Sequence, residues 1–236
     1  MNIIPDIEGP QQINKYSFLY SNFIQIKSNS MFDVNLQYPL LGMKNAINRC
    51  MVRKEVYDKL CKAYSYLPKG YKIRIYDGWR SFKLQQELYD SYSKILIEKF
   101  QLNGLSEEDR RAYIKSFISE PICNREQAPV HTTGGAIDVT LLNSDNVELD
   151  MGTKFDEFTD KTYTAYFEKE FDENITYNRR LLYDVMIRAG FTNLPSEWWH
   201  YDYGDMFWAY YNQSKILYNG VFTMEEILDE GDLQKR

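Results

Sequence analysis

The chain has 236 residues, of which 44% are hydrophobic and 26% charged, proportions that fit a folded globular protein and exclude global disorder. Its 34 acidic against 28 basic residues leave a net charge of −6, the wrong sign for a protein that tracks nucleic-acid phosphates. No stretch approaches 18 uninterrupted apolar residues, and Met1 to Pro10 carries Asp6 and Glu8 in place of a basic segment and an apolar run, so neither a membrane span nor a secretory signal is expected.

Residues 1–30 are polar and aromatic and read as an arm wrapped on the domain. Val52, Val56, Leu60, Ala63, Tyr64 and Leu67 recur at helical spacing, predicting a helix over 52–67 that Pro68-Lys69-Gly70 ends. Residues 71–76 alternate polar and apolar as a short strand, and Asp77-Gly78 turns the chain. A long helix follows from Phe82 to Phe100, with Leu88, Tyr92, Ile95 and Leu96 facing inward. Ser106 with Asp109 opens another helix to about Ser119, before Pro121. Residues 136–141 are β-rich, 143–162 form a polar loop, and 177–189 form a helix closed by Gly190. Residues 191–203 read as strand, loop and strand. Thr223 with Glu226 caps a last short helix, and the tail from Gly231 is expected to fray. Helices and strands mix without regular βαβ alternation, which predicts one α+β domain over 31–230.

Cys50, Cys61 and Cys123 are odd in number and form no C-x-x-C pair, as expected of reduced packing residues in a cytoplasmic protein. Histidine is scarcer and more informative. His131 lies in His-Thr-Thr-Gly-Gly-Ala-Ile-Asp, and His200 in Glu-Trp-Trp-His. Singly, each is more often an ordinary core or surface residue. Together, with Asp138 and Glu197 at short spacing, they point to a metal site: two imidazoles and a carboxylate bind zinc and leave a fourth position for water. Gly134-Gly135 lets the backbone turn tightly between His131 and Asp138. Glu197, three residues before His200, sits close enough to exchange a proton with that water.

His131-x-x-Gly134-x-Ala136-x-Asp138 followed by Glu197-x-Trp199-His200 resembles the zinc D-alanyl-D-alanine peptidase family. Tyr76-Asp77-Gly78-Trp79-Arg80-Ser81 and Asp150-Met151-Gly152-Thr153-Lys154-Phe155-Asp156 resemble its dipeptidases of the vancomycin-resistance type, and the likeness runs from about Met31 to Tyr203. The resemblance implies a central antiparallel sheet flanked by helices, the Hedgehog and D,D-peptidase type of fold. It implies Zn2+ held by His131, Asp138 and His200, and hydrolysis of D-Ala-D-Ala or a similar D,D-dipeptide by metal-activated water. Glu197 would be the general base and acid, Arg80 would stabilise the oxyanion, and Asp156 would receive the substrate ammonium. A small dipeptide is the partner implied, with no nucleic acid and no membrane. A peptidoglycan D,D- or L,D-carboxypeptidase and an inactive zinc-binding module of the same fold are the alternatives. Pro129 stands where the family has Ser, and Thr132-Thr133-Gly134-Gly135 replaces Ser-Arg-Gly-Ser, positions that line the family's substrate pocket. Trp198 and Trp199 are candidates for the cleft wall, with core packing expected of at least one.

Overall fold

The computed structural model describes residues 1–19 and 21–232, with side chains up to residue 228. Its strands are β1 (Phe23–Ile26), β2 (Phe32–Val34), β3 (Cys50–Arg53), β4 (Lys72–Asp77), β5 (Ala136–Leu142), β6 (Thr192–Asn193) and β7 (His200–Asp202). Its helices are α1 (Gln37–Leu40), α2 (Lys54–Tyr64), α3 (Phe82–Lys99), α4 (Glu107–Lys115), α5 (Val130–Thr133), α6 (Tyr166–Lys169), α7 (Glu173–Ala189), α8 (Met206–Tyr211) and α9 (Met224–Asp232). The chain is an α+β domain with a five-stranded sheet in the order β2-β4-β5-β7-β6 and a two-stranded ribbon of β1 and β3. The expected antiparallel sheet needs one correction. The β4–β5, β5–β7 and β6–β7 pairs are antiparallel, but β2 joins β4 in parallel, Phe32 opposite Ile73. The chain between β2 and β4 is long enough to hold α2, as a parallel crossover requires.

All seven positions of β5 are buried, so both sheet faces are covered. Ile137, Val139 and Leu141 face a core shared with Val56 and Leu60 of α2 and Leu182, Val185 and Met186 of α7. The period of two sends Asp138 and Thr140 to the opposite face. A second apolar layer, with Leu84, Leu88, Tyr92 and Leu96 of α3 and Ile114 of α4, packs against Phe155 and Phe158.

Local signals explain most helix boundaries. Ser81 caps α3 by accepting from Leu84 N at 3.1 Å, and Asp172 caps α7 by accepting from Ile175 N at 3.0 Å. Gly190 closes α7 at φ +102°. Three expectations are corrected. The helix expected from residue 52 begins at Lys54, because Cys50–Arg53 pairs with β1, a partner remote in sequence that local periodicity cannot reveal. Ile95 lies on the solvent side of α3, 47% exposed, while Leu88, Tyr92 and Leu96 are buried. The helix opened by Ser106 stops at Lys115, and turns carry the chain on to Ser119.

The first residues lie along the body. Ile4 is buried and its N–H donates to Glu168, Lys169 reaches Asp6 at 2.6 Å, and Tyr16 bridges to Ile216. Of the tail expected to fray, Gly231 and Asp232 close α9, and 233–236 lie outside the described residues. Among the described residues no helix is long and apolar enough to cross a membrane.

Candidate active site

Strand register builds the floor of the site. Across β4, β5 and β7 the pairing sets Asp77 beside Asp138 and Asp138 beside His200. Three charged groups therefore stand in a row on one sheet face. His131 comes from α5, which stops at Gly134 with φ +75°, and the chain then enters β5. A side chain at Gly134 would put its Cβ 2.4 Å from Phe23 Cε1, so both conformation and space require glycine there. That turn brings His131 back over Asp138.

His131 Nε2, His200 Nδ1 and Asp138 Oδ1 form a triangle with sides of 3.2, 3.0 and 3.4 Å. Ligand atoms about 2.0–2.1 Å from a tetrahedral ion stand about 3.3 Å apart, which this triangle matches. The outer nitrogens decide the tautomers. His131 Nδ1 donates to the Gly78 carbonyl at 2.8 Å, and His200 Nε2 donates to Asp202 at 2.8 Å. Each ring then turns a lone pair toward the carboxylate, and three buried acceptors facing one another call for a cation between them. Burial works against the His200 imidazolium, but Asp202 and Asp138 outweigh it and raise its proton affinity well above the usual value. A proton and a metal ion thus compete for Nδ1. Asp138 is held far below the usual carboxylate range by His131 and His200 despite its burial.

Arg80 lies beside this triangle and is buried. Its Nε donates to Asp77 at 2.5 Å and its Nη2 to Asp138 at 3.1 Å, and Tyr38 lies under the guanidinium at 4.9 Å. Glu197 holds its carboxylate 3.9 Å from His200 Nδ1, close to the triangle without joining it. Burial pushes Glu197 up to about 8, against the opposing pull of His200. Asn193 fixes the backbone of that turn, donating to the carbonyls of Glu197 at 3.1 Å and His200 at 2.9 Å.

Asp156 closes the far side of the cavity. Its backbone is left-handed at φ +54°, which Asp tolerates better than most residues. Tyr38 and Tyr92 both donate to its Oδ2, at 2.9 and 2.8 Å. Burial pushes its carboxyl up to about 6, with Arg80 pulling the other way. Arg80, His131, Asp156, Glu197 and His200 line one cavity of about 50 Å3. A neighbouring cavity of about 60 Å3 shares Phe117, Asp156, Phe158 and Glu197 with it. The sequence motifs thus converge, with one correction. Pro129 lines the cavity as expected, but Thr132 and Thr133 are buried away from it, Thr133 Oγ1 bonding the Val130 carbonyl to brace the turn. Trp198 and Trp199 are both core residues, and Trp199 also walls the neighbouring cavity beside Glu197.

Sequence reasoning gave no site role to Tyr38, to Asp202 or to Tyr92, which it placed only on the inward face of a helix. Only Asp202 left a readable signal: two residues after His200 on a strand, it must share its face.

A site of this kind on such a sheet has known relatives. A D-alanyl-D-alanine dipeptidase of Synechocystis sp. is 32% identical over 174 residues, 64% of this chain and 69% of that protein. One of Escherichia coli strain K12 is 26% identical over 155 residues, 65% and 67% of the two chains. Two solved structures superpose with TM-scores of 0.42. One is a vancomycin-resistance D,D-pentapeptidase with Zn(II), at 15% identity over 89% of this chain and 97% of that one. The other is VanYB with D-alanine-D-alanine, at 16% identity over 85% and 91%. The chain is a metallopeptidase. A family model described as D-ala-D-ala dipeptidase matches residues 39–218, and the chain belongs to that family.

Proposed function

We propose that the protein hydrolyses D-Ala-D-Ala, or a D,D-dipeptide of similar size, with zinc held by His131, Asp138 and His200. The observation that carries this reading is the convergence of three buried lone pairs whose outer partners, Gly78 and Asp202, direct them at a common point. When bound there, zinc supplies a Lewis acid and lowers the pKa of water toward about 7.

The chain's own groups divide the remaining work. Glu197 takes the proton of the attacking water and returns one to the leaving amine, and a carboxyl raised to about 8 suits both directions near neutral pH. Arg80 donates to the carbonyl oxygen as it gains negative charge, in a site dry enough for that donation to count. Asp77 and Asp138 hold the guanidinium in place, so it needs no reorganisation during the reaction. Asp156 receives the free ammonium of the dipeptide through Oδ1, because both tyrosines occupy Oδ2. A cytoplasmic setting is supported by the free thiols of Cys50, Cys61 and Cys123.

The test is hydrolysis of D-Ala-D-Ala and of N-acetyl-D-Ala-D-Ala by zinc-loaded protein. Fast turnover of the first and a sharp fall on acetylation are expected. Equal turnover of both would replace the dipeptidase reading with a carboxypeptidase one. Loaded protein that cleaves no D,D-dipeptide would end the hydrolytic reading.

A further inference from the structure

Arg179 is one of the largest fully buried side chains, yet it lies on α7, outside the site. All three of its guanidinium nitrogens are taken by main-chain carbonyls. Nε donates to Met151 at 2.8 Å, Nη1 to Tyr163 at 2.6 Å and Nη2 to Lys161 at 2.7 Å. These acceptors sit at the two ends of one loop, 151–163, and Asp156 is near its middle. The planar fork is stacked in place, with its centre 4.7 Å from the Phe167 ring and 5.9 Å from Trp198. Trp198 carries the connection onward. Its indole donates to Thr153 Oγ1 at 2.8 Å, its backbone N–H donates to the Thr162 carbonyl at 3.0 Å, and it is the residue after Glu197.

We infer that Arg179 is a positioning residue for substrate selection: it staples both ends of the 151–163 loop and so sets where the Asp156 carboxylate meets the substrate amine. The inference rests on the proposed role of Asp156. The loop has no regular ladder to hold it, and its single turn of 3-10 helix covers only Asp160–Thr162. Asp156 also sits in a left-handed backbone conformation, which persists only where the surroundings over-determine it. One rigid group bonded to both loop ends removes the freedom that would otherwise blur the carboxylate position. Lysine cannot substitute, because a single ammonium on a flexible stem does not span three carbonyls.

The experiment compares kcat/KM for D-Ala-D-Ala with that for N-acetyl-D-Ala-D-Ala in zinc-loaded wild type, Arg179→Lys, Asp156→Asn and the double variant. Arg179→Lys should lower the ratio of free to acetylated substrate by about 10- to 100-fold, the cost of misplacing a binding group by about an ångström. The loss should fall mainly on KM for the free dipeptide, with kcat for the acetylated one retained. In the Asp156→Asn background the same change should leave the ratio where it is. A wild type that does not prefer the free amine overturns the Asp156 assignment itself. A wild-type preference that survives Arg179→Lys unchanged overturns the staple alone. Should Arg179→Lys fail to fold, amide hydrogen exchange of the wild type decides. Hydrogen-bonded amides such as Thr162 and Tyr163 should exchange as slowly as those of α7. Exchange as fast as in the exposed turn at 143–147 overturns the inference.

Discussion

Asp202→Asn isolates the outer support of the metal site. Asp202 is fully buried and accepts the His200 Nε2 proton at 2.8 Å. The amide oxygen of asparagine can accept the same proton, so the ring keeps its tautomer and orientation. What is lost is the negative charge that makes Nδ1 a better donor to a cation. A hydrogen bond to a charged group is about twice as strong as a neutral one, and loss of such an outer partner typically lowers metal affinity about 10- to 100-fold. That range corresponds to about 1.4–2.7 kcal/mol. Zinc affinity is read by competition with a coloured chelator at fixed pH. Asp172→Asn is the control. Asp172 caps α7 by accepting from Ile175 N, a role asparagine also fills, and α7 packs on the sheet face opposite the ligands. Unchanged affinity in Asp202→Asn, or an equal loss in Asp172→Asn, would refute the reasoning.

The remaining predictions concern the groups around the ion. Glu197→Gln should keep its zinc and lose about 10²- to 10⁴-fold in kcat, checked by metal analysis beside steady-state kinetics. Arg80→Lys should lower kcat about 10²- to 10³-fold while KM changes little, and a pure KM effect would move Arg80 from charge stabilisation to binding. Asp156, raised to about 6, is ionised only above that pH, so kcat/KM for the free dipeptide should fall as pH drops through about 6. Asp156→Asn should lack that limb. The same raised value means that the stability Asp156 contributes is fully present below the ordinary carboxylate range of about 4 and is lost as pH rises through about 6, so Asp156→Asn should melt no lower than wild type at pH 7.5. Gly134→Ala should lower both Tm and zinc affinity, because its Cβ would strike Phe23 and its φ of +75° is unfavourable for alanine.

The legible part of the molecule was the part carried by local rules. Periodicity located α3 and most of α7, and Gly190 marked the end of α7, while the first turn of α7 after its Asp172 cap lies ahead of the helix expected from 177. The strand at β3 was invisible because Cys50–Arg53 is buried by a partner, Phe23–Ile26, far back in the chain. The parallel entry of β2 was hidden for the same reason. At the site, two histidines among 236 residues made the search short, and the motif spacing named residues that the register of β5 and β7 does bring together. Tyr92 was legible only as an inward residue of α3 and Tyr38 not at all, since 20 tyrosines gave no ground for choosing the two that hold Asp156.

Because Asp138, His200 and Asp202 owe their common face to strand pairing, the centre is digital in sequence length. Deleting one residue within β7 would carry the imidazole through the sheet into the aliphatic layer and swing Tyr201 to the polar side. The 151–163 loop answers to no such parity, since Arg179 and not a strand register fixes its ends. Evolution can exchange residues between those ends and so retune which peptides are admitted, while the strands beneath keep an unaltered count.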